Sequence, residues 1–474
     1  MSDRTNVNEL KSVHFIGVGG AGMSGLALVL HERGCSVTGS DLKESRYVRR
    51  LEKAGVKVYV GHDASLIDEL APELIVISSA IPESNPELAR ARELGIDVWH
   101  RAEMLSALSV DAPLTVAVAG THGKTTTSSM VATMLDEMEL DPTFLIGGIL
   151  EGYNTNAKSG TGAFVAEADE SDGSFLVLDP NVVVVTNVEA EHLDHYGTLE
   201  NVEKAFAEFI SLVGEDGSAV VCAEDEHLLE LAQSTGRKIV SYGFGRGVDY
   251  RCRELSRRRR GLETLMSVTV PDGREIQVTI LANPGRHNIL NATAALAVAG
   301  VLGLDLEKAA KALSLYRGTL RRFTVVGETG GITVVDDYAH HPTEILCTLD
   351  AASSLDFERT IVVFQPHRYT RTRDLLDEFG ASFDKTDKLY VMDVFSAGQM
   401  PIPGVSGKSV ANAVSEHNSL ADVSYIRTRK ELIAELCQTL REGDLLITMG
   451  AGDVTTFGPS FIEECTHRLE QSGL

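Results

Sequence analysis

Ala119-Gly120-Thr121-His122-Gly123-Lys124-Thr125-Thr126-Thr127 is the stretch on which the reading of this chain turns. It follows an apolar run, Leu114-Thr-Val-Ala-Val118, expected to be a buried strand, and precedes Ser128 to Glu137, expected to be a helix. Strand, glycine turn, helix is the geometry that aims backbone N–H groups and a helix N-terminus at phosphate oxygens. In such a loop Lys124 reaches the outer phosphates of a nucleotide and Thr125 offers its hydroxyl to a magnesium ion. The strict pattern G-x-x-x-x-G-K-[ST] fails, because Val occupies position 118. What stands instead is a shorter loop, G-T-H-G-K-T-T. A glycine turn with a chance lysine explains it less well than triphosphate binding does, since strand and helix flank it correctly.

Outward from this loop the chain alternates strand-like and helix-like runs. Val13-His-Phe-Ile16, Ser36-Val-Thr-Gly39, Val56 to Val60 and Leu74 to Ser78 read as strands, with helices over Gly22 to Glu32 and Lys43 to Ala54. That is a βαβ series and hence a parallel sheet. After a linker at Ser109-Val-Asp-Ala-Pro113 a second α/β unit begins. Its last part, from about Tyr250 to Leu281, reads as hairpins whose tip carries the Arg257–Arg260 run, taken as solvated charge. A third unit has strands at Ile332 to Asp336, Thr360 to Gln365, Lys388 to Asp393 and Asp444 to Met449. The expected fold is therefore three successive α/β domains, over residues 1–108, 109–318 and 319–474: a Rossmann-like domain, a P-loop-type ATPase domain and a second Rossmann-like domain.

Composition narrows the partners. The 474 residues carry a formal net charge of −25, with 43% hydrophobic and 23% charged residues. A soluble globular protein is expected, and nucleic acid is excluded as a partner, since phosphate backbones demand a basic surface. Six cysteines (35, 222, 252, 347, 437 and 465) show neither CxxC nor zinc spacing and read as reduced thiols. No stretch approaches membrane-spanning length, so a cytoplasmic location is expected.

Gly17-Val-Gly19-Gly20-Ala-Gly22 satisfies G-x-G-x-x-G after a strand, and Asp41 closes the next strand at the spacing of a ribose-binding acid. Alone, this predicts a dinucleotide and an NAD-dependent oxidoreductase. Redox chemistry has no use for the second loop, however, and a nucleotide-diphosphate substrate fits both. Further along, Glu167-Ala-Asp169-Glu170-Ser171-Asp172 places carboxylates past a strand, where Glu167 is suited to magnesium. Thr186-Asn187-Val-Glu189-Ala-Glu191-His192-Leu-Asp194-His195 follows another strand, and His192 is a plausible second ligand. Gly285-Arg-His287-Asn288-Ile-Leu-Asn291 opens an Ala-rich helix; its Asn side chains can pair with an adenine edge or simply cap the helix.

Taken together, G-T-H-G-K-T-T-T, E-A-D-E-S-D, T-N-V-E-A-E-H-L-D, N-P-G-R-H-N-x-x-N-A and D-D-Y-A-H-H-P-T-E resemble the Mur ligase family, in matching order over nearly the whole chain. I-G-V-G-G-A-G-M-S-G and Q-P-H-R-Y-T-R-T resemble those members that join L-alanine to UDP-N-acetylmuramate, although members that attach a preformed peptide to the same sugar nucleotide remain an alternative. Glu191 stands where the family pattern has Asp, and the Arg257–Arg260 run is unusual.

The resemblance implies ATP-driven formation of an acyl phosphate on the lactyl carboxylate, with Mg2+ (or Mn2+) and peptidoglycan-precursor substrates. It implies Lys124, Glu167, His192, Arg322 and Asp337 as catalytic groups, with metal held by Thr125, Glu167 and His192. ATP would be bound by Gly120, Thr121, His122, Gly123, Lys124, Thr125, Thr126, Asn288, Asn291, Arg322 and Asp337. Gly17, Gly19, Gly20, Gly22, Asp41, Ser79 and Asn156 would hold the UDP substrate. Alanine would meet Tyr338 or His341, and His367 with Arg368 or Arg371, whose guanidinium suits a carboxylate. A monomer or homodimer that closes its domains on ATP is expected.

Overall fold

The computed structural model describes residues 7–257, 262–418 and 422–472. It contains three sheets, the α/β architecture expected. The tip of the Arg257–Arg260 hairpin lies outside the described residues. The chain forms two compact units, Met1–Arg253 with Ser267–Thr279 and Leu290–Arg317, and Glu254–Met266 with Ile280–Ile289 and Gly318–Leu474.

In the first unit, the N-terminal sheet runs Lys57–Val60, Ser36–Asp41, Ser12–Ile16, Leu74–Ile77, Asp97–His100, every strand parallel. This is the 3-2-1-4-5 order, whose switch point lies beside the first strand. The Gly17–Gly22 loop leaves that strand and enters helix Ala21–Glu32 there.

The second sheet has ten strands. Its parallel centre is Val182–Val185, Thr115–Ala119 and Phe164–Glu167, side by side. Val182–Val185 is four valines, all buried, as expected of a strand covered on both faces. Both ATP-loop partners expected from sequence therefore emerge from strands adjoining the loop strand. Thr143–Leu150 and Thr155–Lys158 extend one edge and contact helix Ala21–Glu32. Neither strand was read from sequence: Gly147-Gly148 interrupts the apolar residues of the first, and the second is mostly polar.

In the second unit, the sheet is Thr324–Thr329, Ile332–Asp337, Asp444–Met449, Arg359–Phe364, Lys388–Val391, Asp422–Tyr425. Its four inner strands are those expected; the antiparallel edge strand Thr324–Thr329 was not foreseen. One expectation fails here. Cys437 and Cys465 form a disulfide between helices Arg429–Thr439 and Phe457–Ser472, with Cα atoms 6.1 Å apart. Helix packing brings together two cysteines 28 residues apart, a proximity no local spacing encodes. Cys35, Cys222, Cys252 and Cys347 are thiols, as expected.

Candidate active site

The loop at 119–127 is held by the neighbouring strand's exit. Thr121 N–H donates to Asn187 O at 3.0 Å, His122 N–H to Asn187 Oδ1 at 2.8 Å, and Thr186 Oγ1 to His122 O at 2.5 Å. Gly120 has φ +135°, and a Cβ there would fall 2.1 Å from Thr186 Oγ1, so the tight approach requires glycine. Helix Lys124–Glu137 starts at Gly123 without a side-chain cap, which leaves its positive end to a ligand.

Lys124 Nζ is folded back onto Gly120 O (2.5 Å), Thr121 O (3.1 Å) and Glu170 Oε1 (2.7 Å). Burial acts against the Lys124 charge, but Glu170 outweighs it and holds the ammonium above its usual range. Burial pushes Glu170 the other way, up to about 7, despite Lys124. Thr125 Oγ1 donates to Glu167 Oε1 at 2.9 Å, and Gly147 N–H to Glu167 Oε2 at 2.6 Å. Thr125 and Glu167 thus meet as expected. His192, at φ +56°, has its Nε2 3.9 Å from both Glu170 Oε1 and Glu191 Oε2. Glu170 is the acid that sequence reasoning passed over. Three carboxylates past one strand end gave no clue to which would turn inward.

Asn291 sits against the loop helix. Its Oδ1 accepts from Thr127 Oγ1 at 3.1 Å, so it braces the loop helix. Asn288 Nδ2 donates to Pro284 O at 3.3 Å and lies 2.8 Å from His287 Nε2, so its amide nitrogen is engaged beside the start of the Ala-rich helix.

Two cavities meet between the glycine loops, one beside the first loop and one beside the second. One, of about 440 Å³, is lined by Gly17, Gly20, Gly22, Asp41 and Ser78; the other, of about 230 Å³, by Lys124, Glu167, Gly147 and Leu145. Gly22, Arg101 and Asp169 line both. Arg101 was not foreseen. It binds Asp169 at 2.9 Å and Asp172 at 3.2 Å, and Ser79 Oγ donates to Asp172 at 3.0 Å. Burial opposes the Asp172 charge, but bonds from Ser174 and the Arg101 guanidinium bring its carboxyl down to about 2. Asp41 grips the first loop, accepting from Gly19 N–H at 2.9 Å and Lys43 N–H at 3.1 Å. Asn156 is buried and donates to Ala21 O at 2.8 Å, which makes it a brace for the helix behind that loop.

The second unit gathers the remaining residues at the C-terminal ends of its strands. Asp337 is buried and accepts from Phe323 N–H (2.7 Å), Ala339 N–H (2.7 Å) and Thr348 Oγ1 (3.2 Å). Burial raises its carboxyl to about 6. Asp337 therefore shapes the turns that carry Arg322 and Tyr338. The Arg321 and Arg322 guanidinium carbons lie 4.8 and 5.1 Å from the Tyr338 ring centre, and Arg322 Nη1 is 3.5 Å from Glu344. His340 continues this array: its ring is 5.0 Å from Tyr338 and 5.8 Å from His367. His341 is buried ahead of helix Pro342–Ser353. His367 stacks on Phe395, and burial with nearby His340, Arg371 and Arg368 drives it down to about 3. Arg368 is exposed with φ +67°, an unusual conformation for a residue with a side chain.

Comparison with known proteins agrees with this layout. Three family profiles match in order: "Mur ligase family, catalytic domain" over residues 12–111, "Mur ligase middle domain" over 118–299 and "Mur ligase, glutamate ligase domain" over 321–452. A UDP-N-acetylmuramate–L-alanine ligase of Desulforamulus reducens is 45% identical over 97% of this chain and 98% of its own length. The chain belongs to the Mur ligase family. A second such ligase, from Sorangium cellulosum, is 46% identical over 94% of each chain. Among solved structures, the UDP-N-acetylmuramate-alanine ligase of Thermotoga maritima superimposes with a TM-score of 0.82 at 30% identity, covering 98% of this chain and 100% of its own. A murein peptide ligase from Psychrobacter arcticus shares the Mur ligase fold at TM-score 0.70 and 24% identity, with 96% and 98% covered.

Proposed function

We propose that this Mur ligase uses ATP to join L-alanine to the lactyl carboxylate of UDP-N-acetylmuramate, a step in peptidoglycan precursor synthesis. The observation that carries the reading is the shared wall of the two cavities. A sugar nucleotide whose diphosphate lies on the Gly17–Gly22 loop can extend past Gly22, Arg101 and Asp169 toward Lys124 and Glu167. The two glycine loops then serve one reaction, and the relatives named above carry this activity in their names.

A carboxylate is a poor electrophile, because its oxygen does not leave at neutral pH. Attack of a carboxylate oxygen on the γ-phosphorus expels ADP and gives an acyl phosphate. The alanine amine, having given up its proton, then attacks the acyl carbon and phosphate leaves. The first step joins two anions, so cations must offset their repulsion. Lys124 is placed for this: a triphosphate on the loop replaces Glu170 and the two carbonyls as partners of its ammonium. Arg101 fixes the sugar nucleotide between the loops.

The donors present fit a hard divalent cation. Glu167 presents its carboxylate beside the Thr125 hydroxyl, and Glu170 keeps a buried Oε2 with no hydrogen-bond partner. Thr125 and Glu167 would hold Mg2+ (or Mn2+), with Glu170 and His192 alongside, and the ion supplies charge neutralisation between phosphate and carboxylate. Arg368 or Arg371 takes the alanine carboxylate, and Arg322 the γ-phosphate. Residues 1–108, 109–318 and 319–474 are read as the sugar-nucleotide, ATP and amino-acid domains. Among the described residues no helix is long and apolar enough to cross a membrane. Use of ATP and a nucleotide sugar points to the cytoplasm.

The test is phosphate release with UDP-N-acetylmuramate, ATP and a panel of amino acids and short peptides. L-Alanine supports turnover under this reading. Release driven only by a peptide would move the chain to the peptide-attaching relatives.

A further inference from the structure

Arg322, read above as the ligand of the γ-phosphate, has a strained neighbour on each side. Arg321 stands at φ +68° and Phe323 at φ +50°, in the left-handed region that residues with large side chains rarely adopt. Such positions persist only where the surroundings over-determine them, and they cluster where geometry serves function. The main chain is pinned at both: Tyr338 N–H donates to Arg321 O at 2.7 Å, and Phe323 N–H to Asp337 Oδ2 at 2.7 Å. The turn gives the two arginines different surroundings. Arg322 is partly exposed, whereas Arg321 is buried.

The chemistry above leaves Arg321 without a task, yet its guanidinium grips a loop. Nη2 donates to Gly450 O and, at 3.4 Å, to Gly452 O; Nη1 donates to Ala451 O at 3.4 Å; Nε donates to Asp336 Oδ2 at 3.3 Å. Asp336 is itself buried and accepts from Thr455 Oγ1 at 2.7 Å and Thr448 Oγ1 at 2.8 Å. A planar fork of donors suits successive carbonyls and a carboxylate together; the point charge of a lysine does not. The gripped loop lies against the residues expected to meet the amino acid. A Cβ on Gly452 would fall 2.5 Å from Gln365 Oε1 and 2.7 Å from Phe395 Cγ. Phe395 in turn stacks on His367, the rings 5.6 Å apart and within 8° of parallel. The Arg321 guanidinium carbon also lies 4.8 Å from the centre of the Tyr338 ring. Arg321 therefore supports Tyr338 directly and His367 through the loop and Phe395.

We propose that Arg321 is a positioning residue for the amino-acid substrate. By holding residues 450–452 against Phe395 and by packing on Tyr338, it fixes the spacing between the Tyr338 and His367 walls of the alanine site. The inference rests on reading those side chains as the amino-acid site. Arg321 acts through them and does not touch substrate. Two adjacent arginines on one strained turn then divide the work: Arg322 serves the nucleotide, and Arg321 serves the amino acid.

The experiment is steady-state phosphate release by the full chain, with L-alanine, ATP and UDP-N-acetylmuramate varied in turn, for wild type, Arg321→Lys and Gly452→Ala. Lysine keeps the charge but cannot reach the carbonyls and Asp336 at once. Arg321→Lys is expected to raise KM for alanine about tenfold, with kcat and the other two KM values held within about twofold, a loss confined to the binding of one substrate. The ratio of kcat/KM for L-alanine over glycine should fall severalfold, because a displaced wall no longer fits the methyl group. Gly452→Ala pushes the same loop off Phe395 while leaving Arg321 intact, and it should give the same selective rise. That variant carries the test should Arg321→Lys fail to fold. An unchanged alanine KM in a folded variant, or a rise shared equally by all three substrates, overturns the proposal. A wild type that turns over without any amino acid or peptide would instead overturn the proposed function, and this assignment with it.

Discussion

The two glycine loops follow the same construction and do different work. Each leaves a parallel strand and enters a helix, at Ala21–Glu32 and at Lys124–Glu137. Around the first, the nearest carboxylate is Asp41, which binds the loop's own Gly19 N–H. Around the second, Glu167 and Glu170 bind the side chains of Thr125 and Lys124, groups that a phosphate or a metal can claim. The first loop is a fixed cradle. The second is a set of exchangeable partners, and that is what separates holding a phosphate from transferring one.

The largest effect that sharpens this contrast is expected from Lys124→Ala. It should cut alanine-dependent phosphate release by about a thousandfold, since a preorganised cation acting on developing charge is removed. UDP-N-acetylmuramate should still raise the melting temperature of that variant. Near-normal turnover would break the distinction between the loops.

A smaller and opposite pattern is expected in the first loop. A Cβ at Gly19 would stand 2.8 Å from Asp41 Oδ2, displacing the carboxylate that shapes the cradle. Gly19→Ala should raise KM for the sugar nucleotide about tenfold while the ATP KM holds, a loss of uniform binding. A fall in kcat instead would make the first loop part of the chemistry.

The smallest effect is in stability against pH, read from two buried carboxylates. Burial would raise Glu87, behind the first loop, but bonds from His14 and Ser40 hold it below 4.5, so its contribution is present above that pH and is lost on acidification. Glu170, in the second, is raised from 4.5 to about 7, so its contribution is present below 4.5 and is lost as pH rises through 7. Urea unfolding of Glu170→Gln should accordingly show a flatter fall in stability between pH 4.5 and 7 than the wild type. Glu87→Gln should lose stability at pH 7 and little at pH 3. Parallel curves for the two variants would erase the difference between the sites.

Much of this was legible in local sequence. The ATP loop, its strand and its helix stood out because glycine, lysine and apolar residues fall at fixed offsets within about a dozen positions. Glu167 was legible because it ends an apolar strand. What sequence left hidden depends on distant partners. Arg101 acquires its place from Asp169 and Asp172, and Arg321 from carbonyls 129 to 131 residues on. Strands Thr155–Lys158 and Asp422–Tyr425 escaped for a different reason: as edge strands they need no apolar run to be stable. Asn291 and His341 show how distant partners set a side chain's surroundings. Their residue types suit a ligand, and the fold sets one against Thr127 of the loop helix and buries the other beside a helix start, neither of which local sequence encodes.

The central claim is that the substrate held by the first loop is phosphorylated by the nucleotide held by the second. UDP-N-acetylmuramate labelled with oxygen-18 in its carboxylate tests it directly, with the released phosphate examined by phosphorus NMR after turnover with ATP and L-alanine. One labelled oxygen should appear in each phosphate released, because the carboxylate oxygen that attacks the γ-phosphorus departs with it. Phosphate free of label, formed at the same rate as the amide, would contradict an acyl phosphate and with it the shared use of the two loops.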